Sequence, residues 1–134
     1  MSIVSLALGG AAGGICRYLL GLKVTKTVSN PPFPVSMLFV NLLGAFGLGL
    51  FYGSYYGKVP SHAYDDSIFL MIGIGFFGAF TTFSTFSVET VQLIREKFYR
   101  KMLAYVGISA FGTVGLFTVG LLAGTFLFNE RECF

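Results

Sequence analysis

Four long stretches of this 134-residue chain contain no Asp, Glu, Lys or Arg. They are Met1–Cys16, whose apolar pattern continues past Arg17 to Leu22, then Thr27–Gly57, Ser67–Val88 and Met102–Phe128. A helix needs about 20 mostly apolar residues to cross the hydrocarbon core of a membrane. The pattern therefore predicts four spanning helices, over 2–22, 34–56, 67–94 and 101–128. A cleavable signal peptide is the competing reading of the first stretch, but such peptides open on a positive segment, and Met1–Leu8 carries no charge. The fold class is thus an all-α membrane protein, with 1–134 as a single four-helix transmembrane domain.

The connections are short: Lys23–Pro34, Gly57–Asp66 and about Arg95–Lys101. Pro31, Pro32 and Pro34 mark the first as extended and announce the second helix, because proline is tolerated in a helix's first turn. Asp66 or Ser67 is placed to cap the third helix. Only 11% of residues are charged, against about a quarter in soluble domains, which agrees with the span reading.

Little in the chain suggests catalysis or metal chemistry. Cys16 lies inside the first span and Cys133 next to the end, so neither a disulfide framework nor a metal spacing is present. His62 stands in a loop with no Cys or second His near it, as a solvated loop histidine would. No phosphate loop, nucleophile elbow or acidic dyad occurs, and no enzyme is expected. The net charge of +3 comes from short basic loops, not from the Lys/Arg stripe with aromatics that nucleic acid requires.

Glycines recur four apart: Gly9 and Gly13, Gly10 and Gly14, Gly49 and Gly53, Gly53 and Gly57, Gly120 and Gly124. That spacing gives a helix face on which backbones can approach closely. Most of these glycines are expected to serve packing inside the bundle. Four short helices enclose little interior, so a dimer is the natural way to build a polar path.

Polar residues at membrane depth are expensive and generally face an interior, a cavity or a partner. Asn41 lies early in the second span, and Tyr105, Ser109 and Thr113 stack on one face of the fourth at i, i+4, i+8. Serine and threonine can also bond their own i−4 carbonyls, but three in register suggest a polar track. Arg17 and Glu89 lie toward the ends of the first and third spans.

The third span carries "GIGFFGAFTT" (73–82), followed by Phe83, Ser84, Thr85 and Phe86. Its glycines and paired threonines weaken a helix at mid-span. Non-helical backbone at that depth is tolerated only where protein buries it or it lines a cavity. The span is therefore expected to break, with carbonyls freed near Gly78–Thr81 and a new helix starting near Thr82. Free carbonyls coordinate cations, and free N–H groups favour anions. Phe83 and Phe86 share a helix face, which on spacing alone reads as ordinary core packing.

The segments "GGAAGGICRY" (9–18), "FVNLLGAFGLG" (39–49) and "GFFGAFTTFSTFSVET" (75–90) closely resemble the signatures of the Fluc/CrcB fluoride channels. The resemblance runs over all four spans. Ala79 departs from it, standing where members often have a second glycine. The resemblance implies a dual-topology antiparallel homodimer with two pores in the cell membrane, passing fluoride out and protecting against its toxicity. It implies a structural sodium ion held by backbone carbonyls of Gly78 and Thr81 from each chain. It assigns Asn41, Phe83, Phe86, Ser84, Thr85, Tyr105, Ser109 and Thr113 to the pore, and Arg17 and Glu89 to vestibule charges.

Two other functions compete. A proton-coupled small multidrug exporter is also a four-helix antiparallel dimer, but it needs a buried carboxylate in its first helix, and residues 1–22 hold no Asp or Glu. A non-transporting assembly subunit leaves the polar track unexplained. Topology adds a further expectation. The side bearing the 23–34 and 95–101 connections carries Lys23, Lys26, Arg95, Lys97, Arg100 and Lys101, and the other side Lys58 and Arg131. Lys and Arg bias loops toward the cytoplasm, so the charge pattern favours both termini outside.

Overall fold

A computed structural model describes residues 2–30 and 34–133 of the chain. Among them run α1 (Ser2–Thr27), α2 (Val35–Tyr56), a π-helical segment (Phe69–Phe76), α3 (Phe77–Phe80), α4 (Phe83–Arg95) and α5 (Tyr99–Glu132). The π segment, α3 and α4 follow one another as the third span, so four units are long and apolar enough to cross a membrane. The helices outrun the expected spans: α1 continues past Leu22 to Thr27, and α5 reaches Glu132. Charge ends an apolar run but does not end a helix, because Lys and Arg are good helix formers. Pro34 is the N-cap of α2, while the expected role of Pro31 and Pro32 falls outside the described residues.

Glycine sets how the helices pair. α1 lies against the π segment, and α2 against α5. A Cβ on Gly49 would collide with the Phe117 carbonyl, and one on Gly53 with the Leu121 carbonyl. Reciprocally, Gly120 faces the Phe46 carbonyl and Gly124 the Leu50 carbonyl. The four glycines interlock two backbones along a seam with no room for side chains, and dispersion replaces the hydrophobic drive that lipid removes. Gly9 and Gly13 do the same against the backbones of Met71 and Phe76, whereas Gly14 meets nothing within 4 Å. Gly57 is no part of a helix face: it is the C-cap of α2, at φ 68°, a left-handed conformation in which glycine has no Cβ penalty.

The π-helical segment was not legible in the sequence. It widens the third span just where Gly75 lies against the Leu6 carbonyl, and π-turns of this kind concentrate at functional sites. Just before it, Asp66, one of the two expected caps, accepts from the Ile68 N–H at 2.9 Å. Its other carboxyl oxygen accepts from the Tyr56 hydroxyl at 2.6 Å, tying the end of α2 to the start of the third span. Buried Phe69 sits beside the rings of Tyr52, Tyr56 and Tyr64. His62 is exposed in the same loop.

The Tyr56 bond first, and the Ile68 amide second, hold the Asp66 carboxyl below its ordinary range. A depressed carboxyl contributes stability that is present above its unfolded pKa, about 3.9, and lost as pH falls through the lower folded value. The thermal stability of the detergent-solubilised protein should therefore fall as pH drops below about 4, and Asp66→Asn should remove that component of the pH dependence. Identical pH profiles for the two proteins would leave Asp66 without this role.

Candidate functional site

The third span opens between α3 and α4. Thr81 (φ −81°, ψ 147°) and Thr82 (φ −141°, ψ 126°) are extended, so the helix stops at Phe80 and restarts at Phe83. Asn41 of α2 faces this gap. Its Oδ1 accepts from the Thr82 N–H at 2.9 Å, and its Nδ2 donates to the Thr82 carbonyl at 3.1 Å. Gly44, one turn further along α2, lets the break come close: a Cβ there would collide with Thr81 Cγ2 and the Phe80 ring.

Beside the break lies an open cavity of about 650 Å³. Asn41, Thr81, Thr82, Phe83, Phe86, Ser109 and Thr113 contribute to its wall, and Leu48, Val106 and Phe117 are among its apolar liners. Residues 40 or more positions apart in sequence thus meet in one cavity: Asn41, the two phenylalanines, Ser109 and Thr113. Thr82 was expected only as the start of the new helix, and Gly44 was not singled out beforehand. Gly44 and Leu48 share a face with Asn41 at i+3 and i+7, and that spacing is the signal that could have found them.

The two phenylalanines have different environments. Phe86 packs against the buried cluster of Leu38, Leu93 and Tyr105, stacking on Tyr105 with ring centroids 5.3 Å apart. Phe83 is 78% exposed, so its other neighbours must come from lipid or a second molecule. Tyr105 lies outside the cavity lining and is fully buried. Its hydroxyl donates to the Glu89 carboxylate at 2.6 Å, so one side chain supports both Phe86 and Glu89.

The remaining expected residues are more dispersed. Ser84 is exposed, with its hydroxyl 3.1 Å from that of Thr82, and Thr85 is half-buried. Ser109 is buried, whereas Thr113 donates to carbonyls of its own helix, Ser109 at 2.6 Å and Ala110 at 3.0 Å. Thr113 must turn its proton away from these carbonyls before it can donate to anything in the cavity. Arg17, on α1, is half-buried and away from the cavity wall. Gly78 is exposed, and a Cβ built on it meets nothing within 4 Å.

Four membrane-length helices, one of them interrupted beside a cavity edged by polar side chains, define a multi-pass membrane protein. Residues 4–121 match the family model described as CrcB-like protein, Camphor Resistance (CrcB), and the chain belongs to that family. It is 52% identical over 120 residues to the fluoride-specific ion channel FluC 1 of Halalkalibacterium halodurans, covering 90% of this chain and 94% of the relative. It is also 37% identical to the fluoride-specific ion channel FluC of a Ruegeria species, over 92% of this chain and 94% of that one. A third relative, the fluoride-specific ion channel FluC 1 of Carboxydothermus hydrogenoformans, is 35% identical over 94% of this chain and 95% of its own.

Proposed function

We propose that this chain is a fluoride-selective channel of the cell membrane, giving passive fluoride efflux and protection from fluoride toxicity. The observation that carries this reading is the broken third span, where Asn41, Phe83, Phe86, Ser109 and Thr113 gather around one cavity, in a chain whose relatives are named fluoride channels. Fluoride is small and strongly hydrated, so a pore must replace its water with donors. The Asn41 amide and the hydroxyls of Ser84, Thr85, Ser109 and Thr113 can donate, while the Tyr105 hydroxyl is already given to Glu89, and phenyl rings present a positive edge. Arg17 and Glu89 are assigned to the vestibules on family resemblance.

The pore requires a second copy. The cavity is open on one side, Phe83 is largely exposed, and α5 presents Phe111 at 84% exposure. An antiparallel homodimer closes two such cavities, each with rings from both chains. Backbone carbonyls of Gly78 and Thr81 from both chains would hold a structural sodium ion at the dimer centre. The residues fit that role: Gly78 faces open space, and the Thr82 N–H, which a continuous helix would give to the Gly78 carbonyl, goes to Asn41. When bound, sodium supplies a fixed positive charge that keeps the carbonyls of the two chains together.

Purified chain in proteoliposomes should release fluoride only when an electrical shunt is supplied. Release driven by a pH gradient without the shunt would instead establish the exporter, although Glu89, engaged by Tyr105, is the only acidic residue within the third span. Gly78→Val should impair assembly or flux, because a β-branched side chain crowds the carbonyls at the two-fold axis. Normal, sodium-independent flux through that variant would remove the cation site. The chain expressed alone should be active, with Cys133 labelled from both sides of the membrane despite its uneven Lys/Arg distribution. One-sided labelling, with no flux until a second subunit is added, would show a paired heteromer.

A further inference from the structure

We infer that Asn41 is a positioning residue, the strut that holds the third span broken, as well as a donor to the pore. A helix interrupted at membrane depth leaves backbone groups that no water can satisfy. Thr82 is where this problem falls. Its extended conformation takes its N–H out of the helical ladder, and its own side chain makes no capping bond to α4. The hydroxyl instead lies 3.1 Å from that of Ser84.

The Asn41 carboxamide carries the same donor and acceptor as a peptide group. It pairs with Thr82 at two points, receiving the N–H at 2.9 Å and donating to the carbonyl at 3.1 Å. Gly44 makes the approach sterically possible, since any side chain there would strike Thr81 and Phe80. The pairing satisfies the break from the side of α2. It also keeps the Thr82 N–H away from the Gly78 carbonyl and sets the direction in which α4 leaves, carrying Phe83 and Phe86. One N–H of Asn41 remains for the cavity it lines. The inference rests on the channel reading only for its flux measurement.

Amide hydrogen exchange of the full chain in lipid nanodiscs, read beside fluoride flux, tests the strut. Asn41→Leu should accelerate exchange at Thr81–Phe86 at least about fivefold, the effect of losing one hydrogen bond of ordinary net worth. Flux should be lost at every pH. Asn41→Asp supplies the second arm. Its protonated carboxyl can accept from the Thr82 N–H and donate to the Thr82 carbonyl, whereas the carboxylate lacks the donor. Protection in that variant should therefore return as pH is lowered, after correction for the intrinsic exchange rate, while flux stays low because its single O–H is spent on the Thr82 carbonyl.

The pH readout has few competitors. The π segment and α3 carry no ionisable side chain. Cys16, Arg17, Tyr18, Lys23 and Lys26 on α1, Glu89 and Arg95 on α4, and Tyr105 on α5 do not line the cavity beside Asn41, and neither do the charged ends of α5. A pH step that persists when Asn41→Asp is combined with Glu89→Gln belongs to the substituted carboxyl. Wild-type protection at Thr81–Phe86 in Asn41→Leu, whatever its flux, would overturn the strut and leave a pore donor only. If that variant loses protection in all four spans, the aspartate variant decides, and protection there that ignores pH overturns the proposal. Absence of flux in the unmutated chain would defeat the channel reading, while the exchange measurements would still decide the strut.

Discussion

Replacing Phe86 with isoleucine is expected to cut fluoride flux at least about tenfold while the protein still purifies. A tenfold loss corresponds to about 1.4 kcal/mol, within what an aromatic contact contributes beyond its area. Isoleucine keeps much of the apolar volume against Leu38 and Leu93 but removes both the polarised ring edge and the stack on Tyr105. Phe83→Ile should cut flux similarly for a different reason. Phe83 is 78% exposed, so its loss should leave the chain's own fold nearly untouched and act only at the proposed pore. The comparison separates packing from permeation: Phe86→Ile should also lower thermal stability, and Phe83→Ile should not. Wild-type flux in both variants would mean that the rings only pack.

The largest stability effect is expected at the α2–α5 seam. Gly53→Ala and Gly124→Ala each place a Cβ inside the van der Waals shell of backbone atoms on the facing helix. Backbone cannot rotate aside as a side chain can, so the helices must separate along their length. Overpacking of this kind costs about 1–3 kcal/mol, and the seam is the main contact between those two helices. The measurement is the thermal unfolding midpoint in detergent, compared with Gly14→Ala, whose Cβ meets nothing within 4 Å. Equal midpoints for the three variants would show that the seam tolerates separation.

The break and the strut follow a common physical logic. A polar backbone gap in a membrane is stable only when another part of the protein answers it. Here one carboxamide on α2 satisfies the gap, and the glycine three residues later admits it. The fluoride reading and this structural reading assign Asn41 different atoms, so both can hold together.

By itself the sequence determined what depends on local composition. Charge-free runs specified four membrane-length helices, because spanning requires length and low polarity and little else. Glycine and threonine density placed the break near residue 81, since those residues weaken a helix wherever they stand. Asp66 announced its cap, and the spacing of Tyr105, Ser109 and Thr113 put them on one face. Tertiary structure decided which of these features meet. The glycines of 49–53 and 120–124 pack against each other, while Gly14 stays open and Gly57 caps, although all share the same spacing. Only the fold shows that Asn41 engages the Thr82 backbone, that Phe86 rests on Tyr105 while Phe83 does not, and that Thr113 donates to its own helix. The reason is that periodicity fixes the face a residue occupies on its own helix, whereas the partner facing it depends on how the helices are rotated and how deeply they sit. Those two quantities are settled by close packing between segments far apart in the chain.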